Sequence, residues 1–576
     1  MGRSTSVFKK RKFTGNIHTR KQSVHNNETV RNSSPRPNLN VNHEPSSSKK
    51  KLSYLNNIES EAAYNNSQKF NNIIVNLDII SNLVQDNVKC KYCGSVDSVY
   101  ITENLQNRRG LASKLILKCK HCNLNVSKRT SKFTRHSFYD INVKLVYGMR
   151  CIEKGLDAAK TLCAVLDLPP PTAIFQNYSS MLNRAIKEIS TASMMNAAKE
   201  TVEINGSTDI AVAVDGTWQR RGHTSLSGVV TATSVATGKV IDVECLTKYC
   251  SKCKLKVGAH ICHANYAGPS GGMEAKGAVE IFCRSEHARS ARYVEFLGDG
   301  DSKAHLAVNE AKPYGDIKIE KAECIGHIQK RMGARLWRLV NEWKGKKLSD
   351  GKALSGKGRL TGTEIDNIQR YYGQAIRNNC HDLSSMRKAV WATYFHKLST
   401  DETPQHGLCP AGADSWCRYR RAEVSGEVYE HKHSLPETVM NLMKPIFRDL
   451  SDENLLRKCL HGRTQNANES FNNLIWTRVP KTVFVGLDTL KIGVRDAVLS
   501  FNEGAISRVN VLENIDVGCG RNMRTALLKI DKQRVQKVEV EASNITKEAR
   551  VKKRNEKRKR EEETEEGQNH YAPGMF

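Results

Sequence analysis

The sequence lacks any long hydrophobic run. No stretch of about 18 consecutive apolar residues occurs in the chain, so we expect no membrane-spanning helix. The N-terminal segment MGRSTSVFKKRKFTGN also lacks the apolar core of a secretory signal. We therefore expect the chain to stay in a reducing compartment, where the spacings of its 17 cysteines favour metal binding over disulfides.

Acidic residues are scarce relative to basic ones. The 576-residue chain has 60 Asp and Glu against 90 Lys and Arg, which gives a formal net charge of +30. Such a positive field attracts polyanions, and neutralising their phosphates releases counterions. The composition is otherwise within the globular range, with 39% hydrophobic and 26% charged residues. These figures favour a protein that binds nucleic acid.

Composition and periodicity divide the chain into five parts. Residues 1–65 are rich in Ser, Asn, Lys and Arg and poor in large apolar groups, which predicts a disordered basic arm. The run KKRK at 9–12 is a candidate nuclear import signal, although a merely solvating charge cluster is the alternative. A cysteine-bearing module, a helical domain, a mixed strand-and-helix domain and a charged C-terminal tail follow, at 66–135, 136–205, 206–510 and 511–576.

The domain at 206–510 begins with strand patterns. DIAVAV, HTSLSGVVTATSV and KVIDVECL predict three successive strands, and RYVEFLG and DIKIEKAEC predict a fourth and a fifth. A helix, GHIQKRMGARLWRLVNEW, follows the fifth strand, and residues 345–460 are mostly helical in pattern. Three successive strands and then a strand–helix–strand–helix pattern form the outline of an RNase H-like α/β fold.

Three acidic motifs lie in this domain, in the order AVAVDGTW, EFLGDGDSKAHL and HGRTQNANESFNN. Asp215 ends a predicted strand, Asp299 and Asp301 follow another, and Glu469 begins a predicted helix. Carboxylates at neighbouring strand ends can hold two divalent cations for phosphoryl transfer, and oxygen ligands suit Mg²⁺ or Mn²⁺. Asp301 is the preferred second ligand, because it lies five residues before Leu306 of the next helix, and Asp299 assists or substitutes. Any one of these acids alone is better explained as a helix cap or a solvated loop residue.

Two cysteine pairs predict a zinc site in the module at 66–135. In each pair two residues separate the cysteines, and the strand patterns VYIT and KLILKC lie between the pairs. This arrangement is typical of a zinc ribbon, in which Cys90, Cys93, Cys119 and Cys122 would bind one zinc ion tetrahedrally. Structural zinc would supply folding energy that so small a unit lacks. The lysines beside the cysteines favour a module that binds DNA ends, and a packing role is the alternative.

Two further groups of cysteine and histidine are candidate metal sites. One lies between the third and fourth strands and can hold zinc through Cys250, Cys253, His260 and Cys262. His263 is an alternative to His260 there. The other group consists of His406, Cys409 and Cys417, with Cys380 and His381 upstream. It does not contain two closely spaced ligand pairs of the kind found in a zinc ribbon, so a zinc site and a set of buried thiols remain alternatives.

Four motifs in order give the chain a resemblance to the Mutator-like transposase domain, a member of the DDE transposase group with an RNase H-like core. DGTW resembles the first-aspartate motif of that family, GDGDS the second, and TQNANESFN the stretch that bears the terminal glutamate. Cys324 and His327 resemble its C-x-x-H signature. The resemblance covers about 70–510, and the helical segment at 345–460 stands where such transposases carry an all-α insertion.

The resemblance implies cut-and-paste transposition of double-stranded DNA. Water would attack a phosphodiester at a transposon end, and the freed 3′-hydroxyl would then attack target DNA. Cys324 and His327 would support the active site or contact DNA, with core packing as the alternative. The resemblance further implies a homo-oligomer on DNA, and we expect a nuclear protein. The alternative functions are a domesticated, transposase-derived DNA-binding protein without catalysis and a nuclease without strand transfer.

Overall fold

The computed structural model describes residues 46–53, 72–220, 225–260, 262–300 and 303–542. Within these residues the chain is a mixed α/β protein with eighteen α-helices and two β-sheets. The candidate import signal at 9–12, Asp301 and the end of the C-terminal tail lie outside the described residues. None of the described helices is long and apolar enough to cross a membrane.

The cysteine-bearing module contains a small antiparallel sheet. Its strands β1, β2 and β3 pair in chain order and span Val99–Glu103, Lys114–Cys119 and Asn125–Arg129. The helix that precedes them begins after Asn76, whose side chain accepts hydrogen bonds from the next turn's backbone. The core of the module is small and includes Cys90 and Cys119, so the cysteines take the place of larger apolar groups.

Helices α1 to α5 lie before the larger sheet. They span Ser47–Lys51, Leu77–Asn87, Asp140–Cys151, Leu156–Val165 and Phe175–Asn205. Helix α1 lies within the segment expected to be disordered, and Lys51 is buried there because its ammonium donates to the Gly238 carbonyl and lies over the Phe501 ring.

The larger sheet has five strands in the order β6-β5-β4-β7-β8. Strands β4, β5 and β6 are antiparallel, whereas β7 and β8 run parallel to β4. The strands span Asp209–Trp218, Ser227–Ser234, Val240–Thr247, Arg292–Gly298 and Glu320–Glu323, close to the five strands that the sequence predicts. The parallel connections pass through helices, as parallel pairing requires. Helices α6, α7 and α8 occupy these connections and span Ser251–Lys254, Gly272–Arg289 and Lys303–Ala311.

Both faces of this sheet are covered. On one face Val212, Val214 and Ile241 pack with Ile281 and Phe282 of α7. On the other face the apolar side chains of two later helices form a second core with strand residues such as Val229 and Val240. Every residue of β5 is buried, as expected of a strand between two layers.

Residues between β8 and the last helices form a helical insertion, as the pattern at 345–460 predicts. Helices α9 to α14 span Ile325–Glu342, Gly362–Arg377, Leu383–Leu398, Arg418–Ser425, Glu437–Leu450 and Glu453–Arg457. They pack around their own core, which includes Met332, Tyr372, Tyr394 and Phe447. The insertion thus forms a separate apolar cluster beside the sheet.

Four helices complete the fold. Helices α15 to α18 span Asn466–Ile475, Leu487–Asn502, Ser507–Glu513 and Arg521–Ala542. Leu499, Val511 and Leu512 share a core with Val146 and Leu182 of the earlier helical segment. The first residues of the segment assigned by composition to a charged tail are therefore packed into the protein, because they carry apolar side chains at helical spacing.

Candidate active site

The site lies where the parallel pairing of β4 with β7 stops. The sequence predicts that Asp215 ends its strand, but β4 continues to Trp218, because residues 215–218 stay paired with β5. Ala213 of β4 pairs with Leu297 of β7, so Asp215 and Asp299 both lie two residues further on, at the same edge of the sheet. Asp299 follows the last residue of β7 directly. Side chains alternate along a strand, and the equal offset gives these two aspartates the same parity. The register thus brings Asp215 and Asp299 together, while Asp301 lies outside the described residues.

Helix α15 brings Glu469 to this edge. The Gln465 side chain donates to the Val214 carbonyl at 2.7 Å, and the Asn468 side chain donates to the Ala213 carbonyl at 3.0 Å. One turn further on, Asn472 donates to the carboxylate of Asp215 at 2.7 Å. These three amides lie on one face of the helix and bond to residues 213–215 of β4, so they fix the position of the helix relative to the strand. The sequence analysis missed them, although their spacing beside Glu469 is a helical pattern.

The start of α9 supplies a histidine and a lysine to the site. His327 lies between two of the acids, with Nδ1 3.9 Å from Asp299 Oδ2 and Nε2 3.2 Å from Glu469 Oε1. The Lys330 ammonium is 3.5 Å from the same Glu469 oxygen. Cys324 is buried at the N-terminus of α9, where its sulfur accepts the backbone N–H of Gln465 at 3.3 Å. The C-x-x-H pair therefore connects α9 to both acidic elements.

The three acids interact electrostatically. Burial raises the pKa of Asp215 to about 7, and the charges of Asp299 and Glu469 add to this, while the hydrogen bond from Asn472 opposes it. Partial burial also raises the pKa of Glu469, but the hydrogen bond from His327 and the charge of Lys330 outweigh it and leave the pKa below its usual range. Ionised Asp215 thus lies in a site that disfavours another negative charge.

The acids are near one another without converging on one point. In the described part of the chain, the sets of three or more potential ligand atoms within 4.8 Å of one another contain only Cys and His. Two cations about 3.5–4 Å apart can bind carboxylates that no single ion would reach together. The all-oxygen donors fit Mg²⁺ or Mn²⁺, and the negative charges of Asp299 and Glu469 near Asp215 favour a cation here.

A cleft of about 760 Å³ adjoins Asp215. Its walls carry Trp218, Arg220, Trp476 and Lys481, together with the backbone around Gly216. The indole N–H of Trp218 donates to the Ser270 carbonyl, and that of Trp476 donates to the Thr217 hydroxyl. These hydrogen bonds hold the two rings in place. The cleft therefore offers two fixed aromatic rings and two positively charged side chains beside the acidic edge of the sheet.

Comparison with known protein families identifies the family of this chain. The Mutator-like transposase model matches residues 71–417, which is more than half of the chain. The chain belongs to the Mutator-like transposase family. The matched residues include Asp215, Asp299, Cys324 and His327, and Glu469 lies beyond them. A search of curated proteins gives no match.

Membership of the Mutator-like transposases has general consequences for function. It implies a transposase-related function, with DNA as the partner. The family match by itself does not separate an active enzyme from a descendant that only binds DNA.

The ribbon cysteines of this Mutator-like protein come together as predicted. Cys90 and Cys122 sulfurs are 3.6 Å apart, and Cys93 and Cys119 sulfurs are 3.7 Å apart. All four lie within 4.8 Å of one another, which is compatible with a tetrahedral zinc ion.

The second predicted set also converges. His260 Nε2 lies 3.5 Å from the Cys250 sulfur and 3.2 Å from that of Cys253, which is 3.6 Å from Cys262. His263 instead has Nδ1 4.0 Å from a carboxylate oxygen of Asp488, so the geometry favours His260 as the histidine of this set.

The sequence patterns gave no role to one further acid near the site, Glu274. A side chain at Gly216 would bring its Cβ within 2.8 Å of a Glu274 carboxylate oxygen, so Glu274 lies directly against the part of β4 that carries Asp215. Glu274 belongs to the GGME segment, which has no recognisable motif. Only the packing of α7 against the sheet brings it here.

Proposed function

We propose that this chain is a metal-dependent DNA transposase of the DDE type. Its catalytic acids are Asp215, Glu469 and either Asp299 or Asp301, on an RNase H-like core. The observation that carries the proposal is the arrival of carboxylates from β4, from the end of β7 and from α15 at one edge of the sheet. The strand order, with three antiparallel strands followed by two parallel ones, supports the RNase H-like assignment.

The residues of the site have separable roles. Bound Mg²⁺ or Mn²⁺ would supply activation of the attacking hydroxyl and stabilisation of the leaving oxygen. Asp215 is oriented by Asn472, which donates to its carboxylate. His327 and Lys330 hold Glu469 ionised and in place, since both lie within 3.5 Å of it. Cys324 is a positioning residue that fastens α9 to the helix bearing Glu469.

The remaining features suit a DNA substrate. The net charge of +30 attracts the phosphate backbone, and the cleft beside Asp215 offers Arg220 and Lys481 for phosphate contacts. Structural Zn²⁺ in the ribbon and in the Cys250 set would fold modules that help to bind double-stranded DNA. The proposal includes pairing of two transposon ends by a homo-oligomer and a location in the nucleus.

The direct test is cleavage of candidate terminal repeats by the purified full-length protein in Mg²⁺ or Mn²⁺. We expect the wild type to nick the repeat and to join its 3′ end to target DNA. Asp215→Asn should abolish both steps and leave DNA binding intact, because phosphate contacts dominate affinity. Asp209→Asn is a matched control, since Asp209 lies at the other end of β4 and pairs with Arg292.

The same assay separates the alternatives. Cleavage by Asp215→Asn at the wild-type rate would refute the assignment, and tight binding without cleavage by the wild type would favour a domesticated DNA-binding protein. Cleavage without joining would indicate a nuclease. Comparison of Asp299→Asn with Asp301→Asn then identifies the second aspartate.

A further inference from the structure

The helical insertion contains a group of side chains that the catalytic proposal does not use. We infer that His396, His406, Cys409 and Cys417 bind a third structural zinc ion. His396 comes from α11, and the other three come from the connection that leads to α12. The ligand atoms of all four lie within 4.8 Å of one another. This inference does not depend on catalysis.

The separations match a tetrahedral ion. The two imidazole Nδ1 atoms are 3.3 Å apart, and the four nitrogen–sulfur distances are 3.4, 3.6, 3.7 and 3.9 Å. Zinc bound at about 2.0–2.1 Å from nitrogen and about 2.3 Å from sulfur gives tetrahedron edges of roughly 3.3–3.8 Å. Two thiolates with two imidazoles form a ligand set that is common in structural zinc sites.

Neighbouring groups orient one of the ligands. Nε2 of His406 lies 2.9 Å from the Ser399 hydroxyl and 2.8 Å from Nε2 of His431, whose Nδ1 is 2.5 Å from Asp401. With Nε2 engaged in this way, Nδ1 of His406 is the nitrogen left to face the sulfurs. Histidine ligands of metals usually have their second nitrogen held by such a partner.

The site occupies the place of an apolar core. Between α11 and α13, the buried apolar side chains are the two thiols of the site, Ala422 and Leu435. The corresponding core cluster consists of Cys409, Cys417 and Ala392 of α11. Burial of so little apolar surface contributes little against the entropy lost when a segment this long is ordered, and a bound metal ion would add the missing stabilisation. The ion would therefore hold this connection against α11.

The sequence pattern left Cys380 and His381 as upstream partners for this group, and the structure favours His396 instead. The Cys380 thiol donates to the carbonyls of Ile376 and Arg377 and packs beside the main core of the insertion. His396 escapes a motif search because it lies inside α11, ten residues before His406 and without a second ligand at a short, regular spacing.

The first test measures zinc in the purified full-length protein by plasma mass spectrometry. We expect Cys417→Ser to lose about one zinc equivalent per chain relative to the wild type. Cys380→Ser is the matched control, because it removes a thiol from the same helical insertion, and its zinc content should not change. Equal zinc content in the two variants would overturn the proposal.

A second measurement uses the wild type, in case the variant does not fold. Cysteine alkylation is followed residue by residue while a chelator removes zinc. We expect labelling of Cys409 and Cys417 to rise at least tenfold, while Cys459, buried in the core of the same insertion, stays protected. Labelling that does not respond to the chelator, or that rises equally at Cys459, would overturn the proposal.

Discussion

Asp215 is the residue whose surroundings say most about this site. It lies within β4 with two other acids nearby, and burial raises its pKa to about 7. An aspartate in an unfolded chain has a pKa near 3.8. Ionisation of Asp215 therefore lowers the free energy of unfolding, and a bound cation would raise it again. This single residue links metal binding, pH and stability in a measurable way.

Asp215→Asn should stabilise the metal-free protein at about pH 8, by roughly 1–3 kcal/mol, since solvent still reaches part of the residue. The cost of ionisation is fully present above pH 7 and disappears as the pH falls towards about 4, so the gain should shrink over that range. Thermal unfolding at several pH values measures this difference.

Divalent cations give the companion measurement. Mg²⁺ or Mn²⁺ should raise the Tm of the wild type at about pH 8 and leave that of Asp215→Asn nearly unchanged, because an amide is a weaker ligand than a carboxylate. Asp209→Asn should keep the metal response. A wild-type Tm that does not change with either metal would argue against the carboxylate site.

At the scale of elements, helix α15 determines whether the acids meet. Its amide face bonds to the carbonyls of β4, and Asn468 is fully buried, with its side chain also donating to the Thr231 carbonyl of β5 at 3.3 Å. Buried polar groups of this kind are costly to leave without partners. The position of Glu469 thus depends on residues that carry no charge.

Asn468→Ala should lower the free energy of unfolding by about 1–3 kcal/mol, because it leaves strand and side-chain groups without their partner. Cleavage should fall at least about tenfold while DNA binding is kept, since Glu469 loses its support. Chemical denaturation and the cleavage assay measure the two effects. Asn466→Ala is the control, because that side chain is exposed on the same helix. Equal effects of the two substitutions would contradict this account of α15.

At the scale of the whole molecule, charge governs the encounter with DNA. The whole chain carries a formal net charge of +30. Phosphate contacts release counterions, so affinity should depend steeply on salt whatever the sequence of the DNA. Preference for a particular DNA sequence would then come from additional contacts to the bases.

The affinity for a DNA duplex should fall about a thousandfold or more between roughly 50 and 200 mM salt, as expected for at least six phosphate contacts. Fluorescence anisotropy with labelled duplexes measures the slope of log affinity against log salt. Asp215→Asn should leave this slope almost unchanged, because it alters the catalytic edge and not the contacts to the backbone. An affinity that salt barely changes would contradict a binding mode based on phosphates.

Several features of this protein were determined by local sequence. The ribbon cysteines, the five strands of the larger sheet and the helical character of the insertion follow from short spacings and from periodicity, which depend on backbone geometry alone. The family resemblance was carried by motifs of the same kind and is confirmed by the family match.

Only the tertiary structure decided which distant residues share a site. The pairing of β4 with β7 places Asp299 beside Asp215, and the packing of α15 and α7 adds Asn472 and Glu274. His396 likewise joins its set through the folding of the connection onto α11. These choices depend on strand register and helix docking, which arise from contacts between segments far apart in the chain. Spacing within a motif carries no information about such contacts.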